Sequence, residues 1–313
     1  MKDRARVGIV GGGSWGVALA RAAARADSKV LLFTRREHAD LEGIERATSL
    51  SRVARDSELV LLAVPSTVAR DVTRALGDDL NGGHLVVHGI RGLIGDELST
   101  VSDVVRQETP VRRVGAIGGP VLERELSAGL PSVMVVGSRY KEVCDAVAEC
   151  LGGATLCVQA STDLKGVEWA SALTACLAIF VGYALESGSG PGLLAAFIAR
   201  AMHEASRVAQ ATGGEERTLL GLAGYGDLLA SIAQRDRPEV LLGRAIWRGE
   251  QLSSALDAIG QRVEAIELVP RLVGWAERRG VRAPVLSALA RLLRQGRRRD
   301  DLIGELATRS ALD

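Results

Sequence analysis

The feature that most constrains the fold is a regular alternation of short apolar segments and helix-like segments in the first half of the chain. Each apolar segment is almost free of charge, which is typical of strands covered on both faces. Because strands that alternate with helices build right-handed βαβ units, we expect a parallel sheet. The predicted strands are residues 6–10, 29–33, 58–64, 84–89, 112–118, 132–137 and 154–159, and the predicted helices between them are 14–26, 66–76, 95–107 and 139–151.

The pattern changes after about residue 160. Apolar residues then recur at helical spacing, no strand is evident, and turn signals such as "GSGPG" at 188–192 separate the segments. We therefore predict an α/β chain in which a doubly wound, Rossmann-type sheet domain (1–160) precedes an all-α domain (161–313). The predicted helices of the second domain are residues 163–186, 191–212, 217–235, 238–248, 261–279 and 283–295.

The segment "WASALTACLAIFV" (169–181) contains no charged residue. The uncharged run that it opens is near the lower length limit for spanning a bilayer. Glu168 and Glu186 bound the run, and no positively charged flank orients it. We predict a central buried helix and no membrane span.

Charge and cysteine usage exclude several classes of function. The net charge of the 313 residues is +1, so no overall field attracts nucleic acid or an anionic membrane. The four cysteines form no CxxC pair, and no histidine lies at metal-ligand spacing from them, so we expect reduced thiols and no metal. No signal peptide precedes the first strand. We expect a cytoplasmic protein that acts on a small molecule.

A glycine motif, Gly11-x-Gly13-x-x-Gly16, directly follows the first apolar strand and opens an alanine-rich helix. In this position Gly11 permits a tight turn, Gly13 lets the backbone approach a pyrophosphate, and Gly16 lets the helix pack close to the strand. The helix N-terminus offers free N–H groups to phosphates. The motif predicts a dinucleotide-binding site.

The end of the second strand, "LLFTRRE", bears on the choice of dinucleotide. NAD-specific sites usually place an acidic residue here to hold the ribose 2′-hydroxyl, but this chain has Thr34, Arg35 and Arg36. Two guanidinium groups suit a 2′-phosphate, so the sequence favours NADP over NAD as the cofactor. The alternative is that they are ordinary surface residues of an arginine-rich chain.

Seven motifs occur in an order that resembles the bacterial NAD(P)-dependent glycerol-3-phosphate dehydrogenase family over nearly the whole chain. They include "GGGSWGVALA", "GGPVLERELSAGLPSVMVVGS" (118–138), "KGVEWASALTACLAI" (165–179) and "GLAGYGDL" (221–228). The resemblance implies a dinucleotide-binding sheet domain, a helical substrate domain and an active site between them. It also implies the reversible reduction of dihydroxyacetone phosphate to sn-glycerol 3-phosphate.

The resemblance assigns roles to individual residues. On the cofactor side, Ser14 and Trp15 would line the phosphates, Arg35 and Arg36 would face the adenosine ribose, and Glu264 would meet the cofactor from the helical domain. On the substrate side, Gly119 would contact the substrate, Asp227 would lie in its pocket, and Arg237 would stand in the segment that grips its phosphate.

The departures from the family pattern fall on the residues that carry its chemistry. The lysine that the family has after the fourth strand is Arg91, and its proton-donating and proton-accepting lysine is Thr174. The chain is thus similar to a divergent member that lacks the catalytic lysines. Three further polar positions of the family are apolar in this chain: Val121, Ala175 and Leu194.

Carbonyl reduction needs a group that stabilises the developing oxyanion and a group that delivers a proton. The hydroxyl of Thr174 is too weak an acid to donate unaided and can only relay a proton. Arg91 can hold an anion but cannot shuttle protons. His88, three residues earlier at the end of the fourth strand, is the candidate replacement acid. The competing interpretation, which we favour, is a histidine hydrogen-bonded in the wall of the loop.

Three hypotheses therefore stand. The first is a glycerol-3-phosphate dehydrogenase-like oxidoreductase that uses NADP or NAD, with Arg91, Thr174, Asp227 and His88 as candidate catalytic residues. The second is a dehydrogenase of the same fold with a different, less polar substrate. The third is a non-catalytic NAD(P)-binding protein. A homodimer is expected by analogy alone.

Overall fold

The computed structural model describes residues 6–36 and 41–295 of the chain. Two compact units are present. The first consists of the residues up to Ile94 together with Ser99–Glu168, and the second of Gly95–Leu98 together with the residues from Trp169 onward. The boundary that we predicted after residue 160 falls in the last strand of the first unit.

The first unit is built on one sheet of eight strands, in the order β3-β2-β1-β4-β5-β6-β7-β8. The order reverses at β1, because β2 and β3 lie on one side of it and β4 to β8 on the other. This is the arrangement of a doubly wound sheet and confirms the predicted fold class. The strands are β1 (Arg6–Val10), β2 (Lys29–Phe33), β3 (Ile44–Arg46), β4 (Leu59–Leu62), β5 (Leu85–His88), β6 (Val114–Gly118), β7 (Ser132–Ser138) and β8 (Leu156–Ser161).

The prediction of a parallel sheet is wrong for two strands, because β7 runs antiparallel to β6 and β8 runs in the same direction as β7. The connection between them contains a helix of only six residues, Glu123–Ala128. Such a helix is about 9 Å long, whereas returning along a five-residue strand requires about 17 Å. The chain therefore re-enters the sheet from the same end, and β8 then pairs parallel with β7.

Helices cover both faces of the sheet and bury its central strands on two sides, whereas the edge strands β3 and β8 are partly exposed. The structure adds two short helices, α2 and α5, and the edge strand β3 to what the sequence predicted. The helices of this unit are α1 (Ser14–Arg25), α2 (Leu50–Asp56), α3 (Ser66–Gly77), α4 (Val101–Glu108), α5 (Glu123–Ala128) and α6 (Lys141–Leu151).

The predicted helix 95–107 is wrong at its start, since α4 begins at Val101. The hydroxyl of Thr100 accepts the backbone N–H of Asp103 at 3.3 Å and caps the helix there. Immediately before this cap, Ile94 and Ser99 form an isolated antiparallel bridge at the two ends of a four-residue turn, Gly95–Leu98.

From Trp169 onward, the described residues form helices joined by turns and loops, with no strand, as predicted. The single helix expected over 217–235 is wrong, because a π-helical turn at Leu222–Gly226 divides it. A Cβ on Gly224 would lie 2.2 Å from the Leu219 carbonyl oxygen, so only a glycine at this position lets the π-helical turn pack against the end of the preceding helix. The helices are α7 (Leu164–Glu186, which begins in the first unit), α8 (Pro191–Gln210), α9 (Glu216–Leu220), α10 (Asp227–Ala233), α11 (Pro238–Arg248), α12 (Leu252–Ile259, not predicted), α13 (Ala265–Arg278) and α14 (Pro284–Gln295).

Helix α7 contains the uncharged segment 169–181. By length and composition it is the one helix among the described residues that could cross a bilayer, but its apolar window is entirely buried inside the protein. The core helix of a water-soluble protein passes the same test. The burial agrees with the predicted central helix.

Two glycines let α7 and α11 touch along their backbones. A Cβ on Gly243 would lie 1.8 Å from the Ile179 carbonyl oxygen, and a Cβ on Gly182 would lie 2.0 Å from the Val240 carbonyl oxygen. Because both obstacles are backbone atoms of rigid helices, a side chain at either position forces the helices apart.

We expect Gly243→Ala to lower the free energy of unfolding by roughly 2 kcal/mol or more, since overpacking typically costs about 1–3 kcal/mol. Gly274→Ala in α13 is the matched control, because its Cβ would meet nothing closer than the Arg278 guanidinium at 3.5 Å. That change should be neutral or stabilising by up to about 1 kcal/mol. Equal effects of the two substitutions in chemical denaturation would refute the close helix contact.

A buried carboxylate holds the start of α14. Glu204 of α8 is 1% exposed, and its carboxylate oxygens accept the backbone N–H groups of Val285 and Leu286 at 2.7 and 2.8 Å. Burial raises the pKa of Glu204 to about 7, and the two backbone hydrogen bonds oppose the shift without cancelling it. The folded protein therefore holds a proton here that the unfolded chain has released.

We expect this group to make the protein less stable as the pH rises from about 4.5 to about 7. The loss amounts to roughly 3 kcal/mol at 1.36 kcal/mol per pKa unit. Glu204→Gln cannot titrate, although its amide nitrogen cannot accept the second N–H and the variant starts less stable. The stability advantage of the wild type over this variant, measured by denaturation from pH 4 to pH 8, should shrink across the window. An advantage that does not change with pH would disprove the coupling.

Candidate active site

The turn between β1 and α1 has the geometry that the glycine motif predicts. Gly11 has φ +125°, and a Cβ there would lie 2.2 Å from the Ala63 carbonyl oxygen. A Cβ on Gly16 would lie 1.9 Å from the Gly11 carbonyl oxygen. A side chain at either position would collide with the backbone, so the fold alone requires glycine at both.

Gly13 differs from the other two glycines of the motif, because among the described residues no atom beyond its chain neighbours lies within 4 Å of the place where its Cβ would be. It is the N-cap residue of α1, and no side chain caps this helix end. The first N–H groups of a helix lack intrahelical partners, so they face this open space. The open space and the uncapped N-terminus fit the diphosphate of a dinucleotide.

Trp15 connects this turn to the end of β5. Its indole Nε1 is buried and has no hydrogen-bond partner among the described residues. A Cβ on Gly89 would lie 2.3 Å from this nitrogen, so Trp15 packs directly on the backbone of Gly89.

Three arginines lie at the end of β2 and on its neighbour β3. Arg35 and Arg36 are exposed, and the buried hydroxyl of Thr34 accepts the Arg36 backbone N–H at 3.0 Å. The guanidinium of Arg46, in β3, donates to the Thr34 carbonyl at 3.4 Å. Gly11 is adjacent, because its N–H donates to the Phe33 carbonyl at 3.0 Å. Arg46 was not predicted as a candidate for cofactor binding, because strand β3 was not predicted.

The carboxyl ends of the parallel strands bring the first-unit candidates to one edge of the sheet. His88 is the last residue of β5, Arg91 follows in the next loop and is half-buried, and Gly119 comes directly after β6 with φ +89°. In open α/β sheets, ligands bind at this edge, outside the point where the strand order reverses.

His88 is 1% exposed and both of its ring nitrogens are engaged. Nε2 lies 2.9 Å from Oε1 of Glu168, and Nδ1 accepts the backbone N–H of Ile90 at 3.4 Å. Because Nδ1 accepts a hydrogen bond, Nε2 carries the ring hydrogen and donates a hydrogen bond to the Glu168 carboxylate. Glu168 also accepts the backbone N–H and the hydroxyl of Ser102, at 2.8 and 2.7 Å.

In the second unit the structure brings Thr174, Asp227 and Arg237 together. The Thr174 hydroxyl, completely buried, donates to Oδ2 of Asp227 at 2.6 Å and lies 3.2 Å from the Ser171 carbonyl. Asp227 is the first residue of α10, directly after the π-helical turn. The position to which the family resemblance assigns a lysine thus holds a hydroxyl bonded to a carboxylate.

Arg237 compensates the charge of Asp227. Its Nη1 lies 3.3 Å from Oδ1 of Asp227 and donates to the Ser231 hydroxyl at 2.6 Å, while Nε bonds Glu239 at 3.1 Å. Burial alone would lower the pKa of Arg237, but the attraction of Asp227 and Glu239 outweighs it and raises the pKa above its ordinary value. Nη2 is buried without a hydrogen-bond partner among the described residues.

The remaining candidates lie apart from this cluster in the chain. Glu264 is half-buried at the N-cap of α13. Val121 in the first unit and Ala175 and Leu194 in the second are buried apolar residues. Ser231 and Glu168 were not predicted as site residues, because their hydrogen bonds depend on residues elsewhere in the chain.

A doubly wound sheet with a glycine turn at its reversal point, followed by an all-helical unit, defines the class: a Rossmann-type α/β protein with a helical second unit. Comparison with known families agrees with this class. The model of the N-terminus of NAD-dependent glycerol-3-phosphate dehydrogenase matches residues 41–144, and the model of the C-terminus matches residues 163–304.

Full-length relatives carry the same name. Glycerol-3-phosphate dehydrogenase (NAD(P)+) of Azotobacter vinelandii is 31% identical over 98% of this chain and 96% of its own length. The enzyme of Thioalkalivibrio sulfidiphilus is 32% identical over 97% of both chains. A crystal structure of glycerol-3-phosphate dehydrogenase from Coxiella burnetii superposes with a TM-score of 0.90 at 26% identity, covering 98% of this chain and 99% of that one. The chain belongs to the NAD-dependent glycerol-3-phosphate dehydrogenase family, as the motifs indicated.

The difference between Gly13 and Gly16 yields a sharp test of the nucleotide turn. Gly13→Ala should cost less than about 1 kcal/mol of stability, the scale of an N-cap change. It should weaken NADPH binding at least about tenfold, because the methyl group occupies the space next to the N–H donors, each worth about 1.5–3 kcal/mol to a charged group. Gly16→Ala should instead destabilise the fold by about 2 kcal/mol or more.

Gly153→Ala is the matched control, since its Cβ also meets nothing within 4 Å and it lies outside the turn. It should change neither stability nor binding. Unaltered NADPH affinity in Gly13→Ala, measured by nucleotide fluorescence titration, would exclude this turn as the diphosphate site.

Proposed function

We propose that this chain is an NAD(P)-dependent dehydrogenase that interconverts a CH–OH group and a carbonyl in a small anionic molecule. Dihydroxyacetone phosphate and sn-glycerol 3-phosphate are the default pair, because full-length relatives are named for glycerol 3-phosphate. The observation that carries the proposal is the open space at Gly13 beside the uncapped N-terminus of α1.

The chain's own residues divide the work of holding the dinucleotide. The backbone N–H groups of Ser14 and Trp15 bind the diphosphate, with the positive end of the α1 dipole behind them. Trp15 closes the turn against Gly89. A contact between Glu264 and the cofactor is what the family resemblance implies. The nicotinamide supplies or accepts the hydride.

NADP is the preferred cofactor in this proposal. Arg35 and Arg36 are exposed beside the turn, and Arg46 joins them from β3. Guanidinium groups hold a phosphate with paired hydrogen bonds, and none of these residues can accept a hydrogen bond from a ribose 2′-hydroxyl through its side chain.

Arg237, in the helical unit, is our candidate for the anionic end of the substrate, and for Arg91 and Gly119, in the sheet unit, a substrate contact is what the family resemblance implies. The unpartnered Nη2 of Arg237 supports this role, because a buried donor without a partner is costly unless a ligand completes it. Since both groups are arginines, they provide charge without proton transfer.

In this proposal the proton for the substrate oxygen comes from solvent and is relayed through Thr174. The Thr174 hydroxyl donates to Oδ2 of Asp227, so it has to turn to the substrate oxygen, pass on its proton and take another from a water molecule in contact with solvent. Lys165 is the last lysine of the chain, so no ammonium group in the residues from Trp169 onward can take over. Loss of a general acid typically slows a reaction by about 10²–10⁴-fold, and we expect slow reduction of triose phosphate.

The hydrogen bond between Thr174 and Asp227 also favours a second candidate function, in which the protein binds the nucleotide but does not turn over triose phosphate. Asp227 is already neutralised by Arg237 and bonded to Thr174, so the charge of this carboxylate is compensated without a substrate. The buried apolar residues Val121, Ala175 and Leu194 favour a less polar substrate over a triose phosphate in that case.

We further propose a cytoplasmic protein and a homodimer. Reduced thiols support the first, because Cys144, Cys150 and Cys176 are buried and unpaired. The exposed Leu220, Leu222 and Leu229 on the α9–α10 segment support a dimer through the helical unit. Light scattering on the purified protein tests the oligomeric state.

Thr174→Lys tests the assignment of the proton donor. We expect the wild type to bind NADPH more tightly than NADH and to reduce dihydroxyacetone phosphate slowly. The lysine variant should be at least about 10²-fold faster, because an ammonium group beside Asp227 and Arg237 can both stabilise charge and donate a proton. Its reduction rate should fall with rising pH as the lysine loses that proton.

Thr174→Met is the control, because a methionine side chain is about as long as a lysine side chain but carries no charge. A gain in the methionine variant would show that size rather than the ammonium group matters. Binding of NADPH with no turnover in either the wild type or the lysine variant would support the second candidate. A wild type that binds neither nucleotide would overturn both.

A further inference from the structure

We propose that His88 is a positioning residue: held by Glu168, it fixes the Gly89–Gly92 segment against Trp15 and so sets the placement of Arg91. The inference rests on the proposed function for its kinetic consequence, but the contacts lie wholly within the first unit. It departs from the sequence-based hypothesis that His88 replaces the missing proton donor.

The backbone at the end of β5 needs an acceptor that the sheet no longer supplies. The Gly89 N–H still donates to the Leu62 carbonyl at 2.9 Å, which continues the sheet by one residue. The next N–H, that of Ile90, has left the sheet and donates to Nδ1 of His88. The imidazole therefore determines where the chain turns immediately before Arg91.

Glu168 holds the imidazole and the start of α4 at the same time. Its carboxylate is 3% exposed and accepts from His88 Nε2 and from both the N–H and the hydroxyl of Ser102. Three donors on one buried carboxylate restrict its position strongly. The segment that carries Arg91 is thus fixed at its start by His88 and, beyond the Ile94–Ser99 bridge, by Ser102.

The contact between Gly89 and Trp15 extends this arrangement to the nucleotide turn. Because a Cβ on Gly89 would lie 2.3 Å from Trp15 Nε1, a small displacement of this backbone moves the indole or collides with it. Trp15 stands between Ser14 and Gly16 in the turn itself. His88 is therefore placed to influence both dinucleotide binding and the position of Arg91.

The burial and bonding of His88 also oppose a role in proton delivery. Both ring nitrogens already have partners, and the protonated nitrogen points at a carboxylate. A proton donor to substrate needs that hydrogen directed at the reacting oxygen within hydrogen-bond reach.

Two substitutions separate the two hydrogen bonds. His88→Asn keeps an acceptor near the position of Nδ1 and loses the link to Glu168, whereas His88→Gln keeps a donor near Nε2 and loses the acceptor for Ile90. His84→Gln is the matched control: His84 is also a buried histidine of the first unit, bonded to the Ala54 carbonyl and the Asn81 backbone rather than to Glu168.

Hydrogen exchange of the peptide covering residues 89–94 is measured first, because it requires neither nucleotide nor turnover. Both His88 variants should exchange faster there than the wild type, and His84→Gln should not. Unchanged exchange in both His88 variants overturns the proposal. This outcome is separate from failure of the proposed function, which would show as a wild type that binds neither NADPH nor NADH.

NADPH titration and steady-state kinetics follow. Both His88 variants should raise the Kd for NADPH by about three- to tenfold, the effect of losing roughly one hydrogen bond. The KM values should rise with a smaller change in kcat, and the shape of the pH profile should stay the same. A fall in kcat of about 10²-fold or more with an unchanged Kd would instead identify His88 as the proton donor. If the His88 variants lose only thermal stability, as we expect of His84→Gln, and keep the wild-type Kd and KM, His88 is a packing residue and the proposal is wrong.

Discussion

The close approach of α1 to β1 is the constraint on which the first unit depends. The place where a side chain at residue 16 would begin is taken by the Gly11 carbonyl oxygen, 1.9 Å away. The helix therefore starts directly after the strand, with its N-terminus at the reversal point of the sheet. Backbone N–H groups and a helix dipole then converge where Gly13 leaves open space. The proposed diphosphate site is thus a consequence of this packing and needs no charged side chain of its own.

The second unit obeys a different constraint, the need to compensate a buried carboxylate. Asp227 is satisfied by Arg237 and by the Thr174 hydroxyl, so the cluster keeps its charge balance without a lysine. Arginine preserves the charge but gives up proton transfer, because its guanidinium stays protonated. In our proposal, the unit binds an anion through Arg237 but lacks the lysine that the family resemblance assigns to the chemical step. That separation of binding from proton transfer is the main difference implied by the resemblance to the family.

Much of the fold could be predicted from the sequence, because short, nearly uncharged apolar strands and the glycine motif leave distinct local patterns. Features fixed by remote partners could not. Strand β3 (Ile44–Arg46) has a single apolar residue and exists through pairing with β2, so Arg46 was missed with it. The start of α4 depends on the cap by Thr100 rather than on periodicity. Similarly, Ser231 and Glu168 gain their roles from Arg237 and His88, and neither contact has a signature in the local sequence.

The most direct test of this account is a crystal structure of the unmodified chain grown with NADPH. We expect the diphosphate to lie against the backbone N–H groups that begin α1, beside Gly13, with the 2′-phosphate among Arg35, Arg36 and Arg46. A turn that stays empty at saturating NADPH, or a nucleotide bound elsewhere with the Gly13 space closed by the protein's own side chains, would contradict the central claim. The family membership and the fold would remain, but the oxidoreductase function would lose its physical basis.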